Sequence, residues 1–169
     1  YNKEKIGQLL LALVFGISGV GFMYLFDLLT FNANWQRMLA KNQSLAIVDA
    51  FLSHALPKEL LKLGLLISFY KLFKSWFEER FDLIVYGCII SYGFNLGDQT
   101  LLVLDGGKHF LNSALFFDAI VSMLTISLMV YKYELVKDQP VKESNQTLLK
   151  YFGIAVLIHT CYHFFSHFV

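Results

Sequence analysis

The sequence has few charged residues and few cysteines. Charged side chains make up 16% of its 169 residues, whereas about 25% is usual in a soluble domain. There are only two cysteines, Cys88 and Cys161, and both lie in apolar runs. They form neither a Cys-x-x-Cys pair nor the set of four or more cysteines that indicates a disulfide framework. The net charge of +1 excludes the strongly basic surface with which proteins bind nucleic acid.

Apolar and aromatic residues are abundant instead. The hydrophobic fraction is 56%, and the chain contains 17 Phe and 9 Tyr. A soluble protein of this size has too much surface relative to its volume to bury so many apolar side chains. The composition therefore predicts an integral membrane protein, with the lipid bilayer as its solvent and main partner.

The apolar residues fall into five stretches: 6–29, 44–73, 81–104, 110–131 and 148–169. About 20 helical residues cross the hydrocarbon core of a bilayer. The second stretch contains Pro57, which suits the first turn of a new helix, so 44–56 is expected to form a re-entrant or interfacial helix. We predict a single all-α domain over 1–169, a polytopic transmembrane bundle of about five spans.

The distribution of lysine and arginine predicts the orientation, because cytoplasmic loops carry an excess of these residues. With five spans, the second side of the membrane would carry only Arg37, Lys41 and Lys108. The first side would carry a larger set: Lys3, Lys5, Lys71, Lys74, Arg80, Lys132, Lys137, Lys142 and Lys150. We therefore expect the N-terminus and a hydrophilic loop over 132–147 to be cytoplasmic.

Several ionisable residues lie inside the apolar stretches, where they are costly and by default indicate function. The strongest candidates are Glu59, Asp98, Asp118, His159 and His163. His159 and His163 share one helix face. Lys58 and Lys62 flank Glu59 at the start of a predicted helix. The alternative to a functional site is that this helix start lies at the membrane interface, where an acid interacts well with the helix dipole and lysines reach the water. Three further histidines at segment edges are expected at the interface: His54, His109 and His167.

A polar cluster of this composition has chemistry available to it. Carboxylates and imidazoles are suitable ligands for a divalent metal such as zinc or iron. Such a cluster can also activate water, with Glu59 or an aspartate as general base. The residues alone leave open whether the five side chains meet inside the bundle or lie at the bilayer edges.

Five motifs follow one another along the chain as "KELLK", "FDLIVYG", "GFNLGDQ", "FDAIVSM" and "IHTCYHF", and all but the second contain one or two of the five candidate residues. Their order resembles that of the PrsW family of intramembrane proteases, within the superfamily of CAAX prenyl endopeptidases and bacteriocin-immunity proteins. Members carry Glu-Glu-x-x-Lys at a helix start, a segment like Phe-Asp-Gly-Ile-Val-Tyr-Gly before Gly-Phe and a Glu, then a His, and a last His near an Asn. The resemblance covers about residues 50–168 and leaves the first span outside.

The chain departs from the family pattern at several of these positions. Lys58 replaces the first Glu of the opening pair, and Asp98 replaces the Glu of the second motif. Asp118 stands where the family has its third-motif His. His159 corresponds to the last His, and His163 occupies the position that usually carries an amide. The resemblance thus implies the family scaffold with an altered set of site residues.

Two hypotheses follow from the resemblance. The first is an intramembrane peptidase in a bacterial cytoplasmic membrane, with an anti-sigma factor as an example of its substrates. Its catalytic residues would be Glu59, Asp98 and His159, and its metal ligands Asp98, Asp118, His159 and His163. The second is a non-catalytic scaffold that binds a membrane partner, with the cluster neutralised by Lys58 and Lys62. A small transporter has less support, because the sequence shows no inverted repeat.

Overall fold

The computed structural model describes residues 3–30, 45–79, 81–104, 113–138 and 140–166. The predicted connections 30–43 and 105–108 fall mainly or wholly outside these ranges, as do His109 and His167. The α-helices are α1 (Lys3–Thr30), α2 (Ala46–Asp49), α3 (Leu56–Leu72), α4 (Asp82–Leu104), α5 (Ser113–Val136) and α6 (Val141–Ser166). A π-helical turn, Ala50–Ala55, joins α2 to α3. Over these ranges the chain has no strand, so the predicted all-α class is confirmed.

Three of the described helices are long and apolar enough to cross a membrane. The candidate spans are Lys5–Leu25, Phe116–Val136 and Val141–Phe165. The other two long helices, α3 and α4, correspond to the remaining predicted stretches. At 17 residues, α3 is shorter than the roughly 20 residues that span the hydrocarbon core, and α4 carries several polar residues. The polytopic membrane bundle is confirmed, and its less apolar helices, α3 and α4, carry the first three of the five motifs.

The segment before Pro57 is helical, but it is not a separate helix with a loop after it. Helical backbone continues from Ala46 to Leu72 through the π-helical turn, and Pro57 is in the first turn of α3. Proline has no N–H and cannot donate to the preceding turn. The backbone therefore changes from π-helix to α-helix next to Pro57.

The prediction of a hydrophilic loop over 132–147 is wrong. Helix α5 continues to Val136 and α6 begins at Val141, so most of this segment is helical. The Ser144 hydroxyl donates to the Val136 carbonyl oxygen at 2.5 Å, which satisfies one of the open carbonyls at the end of α5. Lys137 pairs with Glu134 at 2.7 Å. The two helices therefore extend beyond the apolar stretches 110–131 and 148–169 into charged parts of the chain.

Glycines bring α1 close to α4. A Cβ atom on Gly93 would overlap the carbonyl oxygen of Leu13, and one on Gly16 would overlap that of Ile90. A Cβ atom on Gly97 would press against Val20. Gly93 and Gly97, four residues apart, form a small-residue pair that admits a neighbouring helix, and that neighbour is α1.

One end of the bundle gathers the start of α1, the connection between α3 and α4, and the turn between α5 and α6. Near it, the Tyr86 hydroxyl donates to Gln8 at 2.8 Å. A cavity of about 460 Å³ opens there between α3, α4, α5 and α6, with Tyr70, Leu83 and Glu134 among its lining residues. The polar motif residues lie toward the opposite end, near the start of α3 and α5 and the end of α4 and α6.

Candidate metal-binding and catalytic site

Helix α3 presents three charged side chains to the interior of the bundle. Lys58, Glu59 and Lys62 are 7%, 0% and 1% exposed. Lys62 donates to Glu59 Oε1 at 2.5 Å, and the two residues are one helical turn apart. Burial of either charge alone would be strongly destabilising, so the pair explains how both are kept inside. The interfacial alternative for this helix start does not apply to these side chains.

Helix α5 supplies a polar stripe that faces the lysines of α3. Asp118, Ser122 and Thr125 repeat at helical spacing and are all buried. Lys62 donates to the Ser122 hydroxyl at 3.1 Å, and Thr125 donates to Glu59 Oε1 at 3.0 Å. The α5 hydroxyls thus add one hydrogen bond to each partner of the Glu59–Lys62 pair.

Helix α6 contributes His159, which lies between two carboxylates. Its side chain is fully buried. Its Nδ1 is 2.6 Å from Glu59 Oε1, and its Nε2 is 3.2 Å from Asp118 Oδ1. A carboxylate only accepts, so both ring N–H groups donate in this arrangement, Nε2–H to Asp118 and Nδ1–H to Glu59. A metal ion bound here would replace the Nε2 proton, whereas the bond from Nδ1–H to Glu59 would remain. This bond orients the imidazole and directs Nε2 toward Asp118.

His163 lies one helical turn further along α6 and stacks on His159. The ring centroids are 4.9 Å apart, and the ring planes differ by 3°. The Nε2 atom of His163 is 3.9 Å from Asp118 Oδ1. Both histidines of α6 therefore direct a ring nitrogen to the same carboxylate on α5.

Asp98 joins the cluster from α4 through a lysine. Lys58 Nζ is 2.7 Å from Asp98 Oδ2 and 4.0 Å from Asp118 Oδ2. The Asp98 side chain is 21% exposed, against 12% for Asp118. Lys58 thus bridges the carboxylates of α4 and α5 at the more open edge of the cluster.

All five site residues named from the sequence therefore lie in one cluster on four helices. Within it, Asp118, His159 and His163 each offer a ligand atom, and these atoms lie within 4.8 Å of one another. Asp98 does not belong to this group.

The chemistry of this donor set fits a divalent metal such as zinc. One carboxylate and two imidazoles are a usual combination of zinc ligands. Metal-ligating histidines usually donate their other N–H to a carboxylate, as His159 does to Glu59. The cluster holds three carboxylates, Glu59, Asp98 and Asp118, against two ammonium groups, Lys58 and Lys62. The third negative charge is balanced by the Nε2 proton of His159 or by a metal ion in its place.

A match to a family model covers residues 4–169 and describes a PrsW family intramembrane metalloprotease. The chain belongs to the PrsW family. The match includes α1, which the motif resemblance in the sequence did not reach, and α1 packs directly on α4. No curated protein and no solved structure gives a significant match.

Sequence reasoning on this PrsW family member did not identify the hydroxyl partners or His54. Ser122 and Thr125 follow Asp118 at helical spacing on α5, so a search for polar residues along that face would have found them. His54 is predicted at an interface, but its ring stacks on that of His163 with centroids 5.1 Å apart. No pattern in the sequence indicates that contact, because His54 precedes α3 within the π-helical turn.

Proposed function

We propose that this PrsW family member is an intramembrane metallopeptidase in which Asp118, His159 and His163 hold a divalent metal ion such as zinc. The observation that carries the proposal is the convergence of these three donors within 4.8 Å. They converge inside a buried cluster whose remaining charges are paired. The family match supports the reaction class, which is peptide-bond hydrolysis in or beside the membrane.

A divalent metal bound there would activate a water molecule and polarise the carbonyl group of a peptide bond. In the proposal, Glu59 positions His159 through the bond between Oε1 and Nδ1–H. Lys62 and Thr125 in turn hold Oε1 in place. The second oxygen of Glu59, Oε2, is buried and has no hydrogen-bond partner among the described atoms. We assign to this oxygen the general-base role predicted for Glu59.

Lys58 and Asp98 have a different role in the proposal. The Lys58 ammonium group lies between Asp98 and the Asp118 carboxylate, at the more open edge of the cluster. A cation fixed beside the reacting carbonyl stabilises negative charge that develops on its oxygen. Asp98 holds Lys58 at that place. We therefore assign Asp98 to catalysis through Lys58 rather than to the metal.

The position of the cluster along the helices bears on the substrate. Asp118 and His163 each lie two residues inside the end of a candidate span, or about 3 Å along a helix. The connections rich in lysine lie at the other end of the bundle, and their excess of lysine favours a cytoplasmic position for that end. We propose that the enzyme cleaves membrane-anchored proteins, such as anti-sigma factors, next to the extracytoplasmic surface of a bacterial membrane.

The direct test is metal content and cleavage in the full-length protein in proteoliposomes. We expect about one zinc ion per chain after removal of metal and reloading, and loss of zinc in Asp118→Asn, His159→Ala and His163→Ala. Asp138→Asn, in the turn before α6, is the control. Doubly labelled single-span peptides serve as substrates. Full zinc binding by all three site variants would refute the metal site.

The alternative is a membrane scaffold that binds a partner without cleaving it. One observation favours it: Lys58 and Lys62 already pair with Asp98 and Glu59 at 2.7 and 2.5 Å. If the folded wild-type protein binds no transition metal and cleaves none of the peptides, the scaffold hypothesis is supported.

A further inference from the structure

Three histidine rings form a continuous stack at the site. The ring of His163 lies between those of His159 and His54, with centroid distances of 4.9 Å and 5.1 Å. The planes differ by 3° on the inner side and 25° on the outer side. The side chains are 0%, 14% and 38% exposed from His159 outward. His54 is therefore the outer end of a column that leads to the buried centre.

The π-helical turn presents His54 to α6. Residues five apart do not share a face of an α-helix, but hydrogen bonds from i to i+5 bring such residues together in a π-helix. His54 Nε2 lies 3.8 Å from the carboxylate of Asp49, five residues earlier. Ser53 donates to the same carboxylate at 2.5 Å. Asp49 thus anchors the turn that carries His54.

The orientation of the His163 ring depends on the rings that lie against its two faces. The last torsion of a histidine side chain has a broad energy profile and does not fix the ring by itself. His163 Nε2 lies 3.9 Å from Asp118 Oδ1, so its direction relative to that carboxylate depends on the rotation of the ring. Rings on both faces of His163 restrict the rotation that would turn Nε2 away from that carboxylate.

We propose that His54 is a positioning residue for His163, presented by the π-helical turn. By stacking on the outer face of the ring, it keeps His163 Nε2 directed to Asp118 and so pre-organises the metal donor set. The effect of His54 on metal binding rests on the proposed function, whereas the stack of rings itself does not depend on a metal. It adds to the site a residue outside all five motifs.

The test uses Co²⁺ as the probe, because its visible absorption reports the geometry of its ligands. Full-length protein in nanodiscs is titrated as wild type, His54→Ala and His54→Phe. Leu52→Ala, an exposed position in the same π-helical turn, is the control. Loss of a supporting partner costs roughly 10- to 100-fold in metal affinity, so we expect that loss and an altered spectrum for H54A. H54F, which keeps an aromatic ring, and L52A should bind as the wild type does.

A second readout needs no metal. In metal-free protein with labelled histidines, the ring protons of His163 should shift in H54A through loss of the ring current, and much less in L52A. Wild-type affinity and spectrum in H54A would overturn the inference, as would an H54F variant as impaired as H54A. If the wild type binds no Co²⁺, the metal proposal fails, whereas an unchanged His163 signal in H54A would refute the stack itself.

Discussion

His159 Nδ1 and Glu59 Oε1 lie 2.6 Å apart, although 100 residues separate them in the chain. The contact joins α6 to α3 at full burial. Since carboxylate–imidazole hydrogen bonds of this kind orient metal ligands, Glu59 has a role that its charge alone does not reveal. It determines which nitrogen of His159 faces Asp118.

Replacement of Glu59 by Gln should weaken metal binding without removing a ligand. The amide keeps the size of the side chain but cannot attract His159 Nδ1–H with a full charge. We expect zinc affinity to fall roughly 10- to 100-fold, measured by competition with a chelating dye. Glu143→Gln, at an exposed position on α6, should not change it. Equal affinities for the two variants would show that Glu59 does not orient the ligand.

Removal of the Lys62 ammonium group should destabilise the bundle strongly. Lys62→Met leaves Glu59 as a buried charge without its nearest cation, and loss of one partner of a buried pair costs about 3–5 kcal/mol. The measurement is the free energy of unfolding in mixed micelles, with exposed Lys142→Met as the control. The double variant with Glu59→Gln should recover part of the loss. If K62M is as stable as the control, the pair is not the main compensation for Glu59.

Substitution of Gly93 tests the contact between α1 and α4. An added Cβ atom would overlap the Leu13 carbonyl oxygen, so Gly93→Ala should separate the helices and cost about 1–3 kcal/mol. Gly64→Ala is the matched control, because a Cβ atom there meets no atom within 4 Å. In that variant the higher helix propensity of alanine should leave stability unchanged or slightly raised. Equal unfolding free energies for both variants would contradict the close approach.

The proposed orientation predicts which cysteines can be labelled from outside the cell. In a variant without Cys88 and Cys161, cysteines placed at Lys74 and Asp138 should be protected from a membrane-impermeant maleimide in intact cells. A cysteine at exposed Thr100, near the site end of α4, should react. The opposite labelling pattern would place the site at the cytoplasmic surface and overturn the substrate class proposed above.

The failed loop prediction shows where patterns of hydropathy stop being informative. Residues 132–147 contain nine charged or amide residues, a pattern that indicates an aqueous environment. Water-exposed residues can still be helical. Whether they are depends on local partners such as the Ser144–Val136 hydrogen bond and the Lys137–Glu134 pair. Hydropathy finds the edge of the apolar span, and these contacts decide where the helix ends.

The membrane environment, the all-α class and the family could be predicted without a structure, because apolar composition and motif order are properties of the linear chain. The sequence also identified Glu59, Asp98, Asp118, His159 and His163, since an ionisable residue in an apolar stretch stands out without a structure. The partners of these residues could not be predicted in this way. Helix packing places Asp118 against both histidines of α6, joins Asp98 to Lys58, and brings His54 onto His163 through the π-helical turn. Those relations depend on helix rotation and spacing between segments far apart in the chain, which no local pattern encodes.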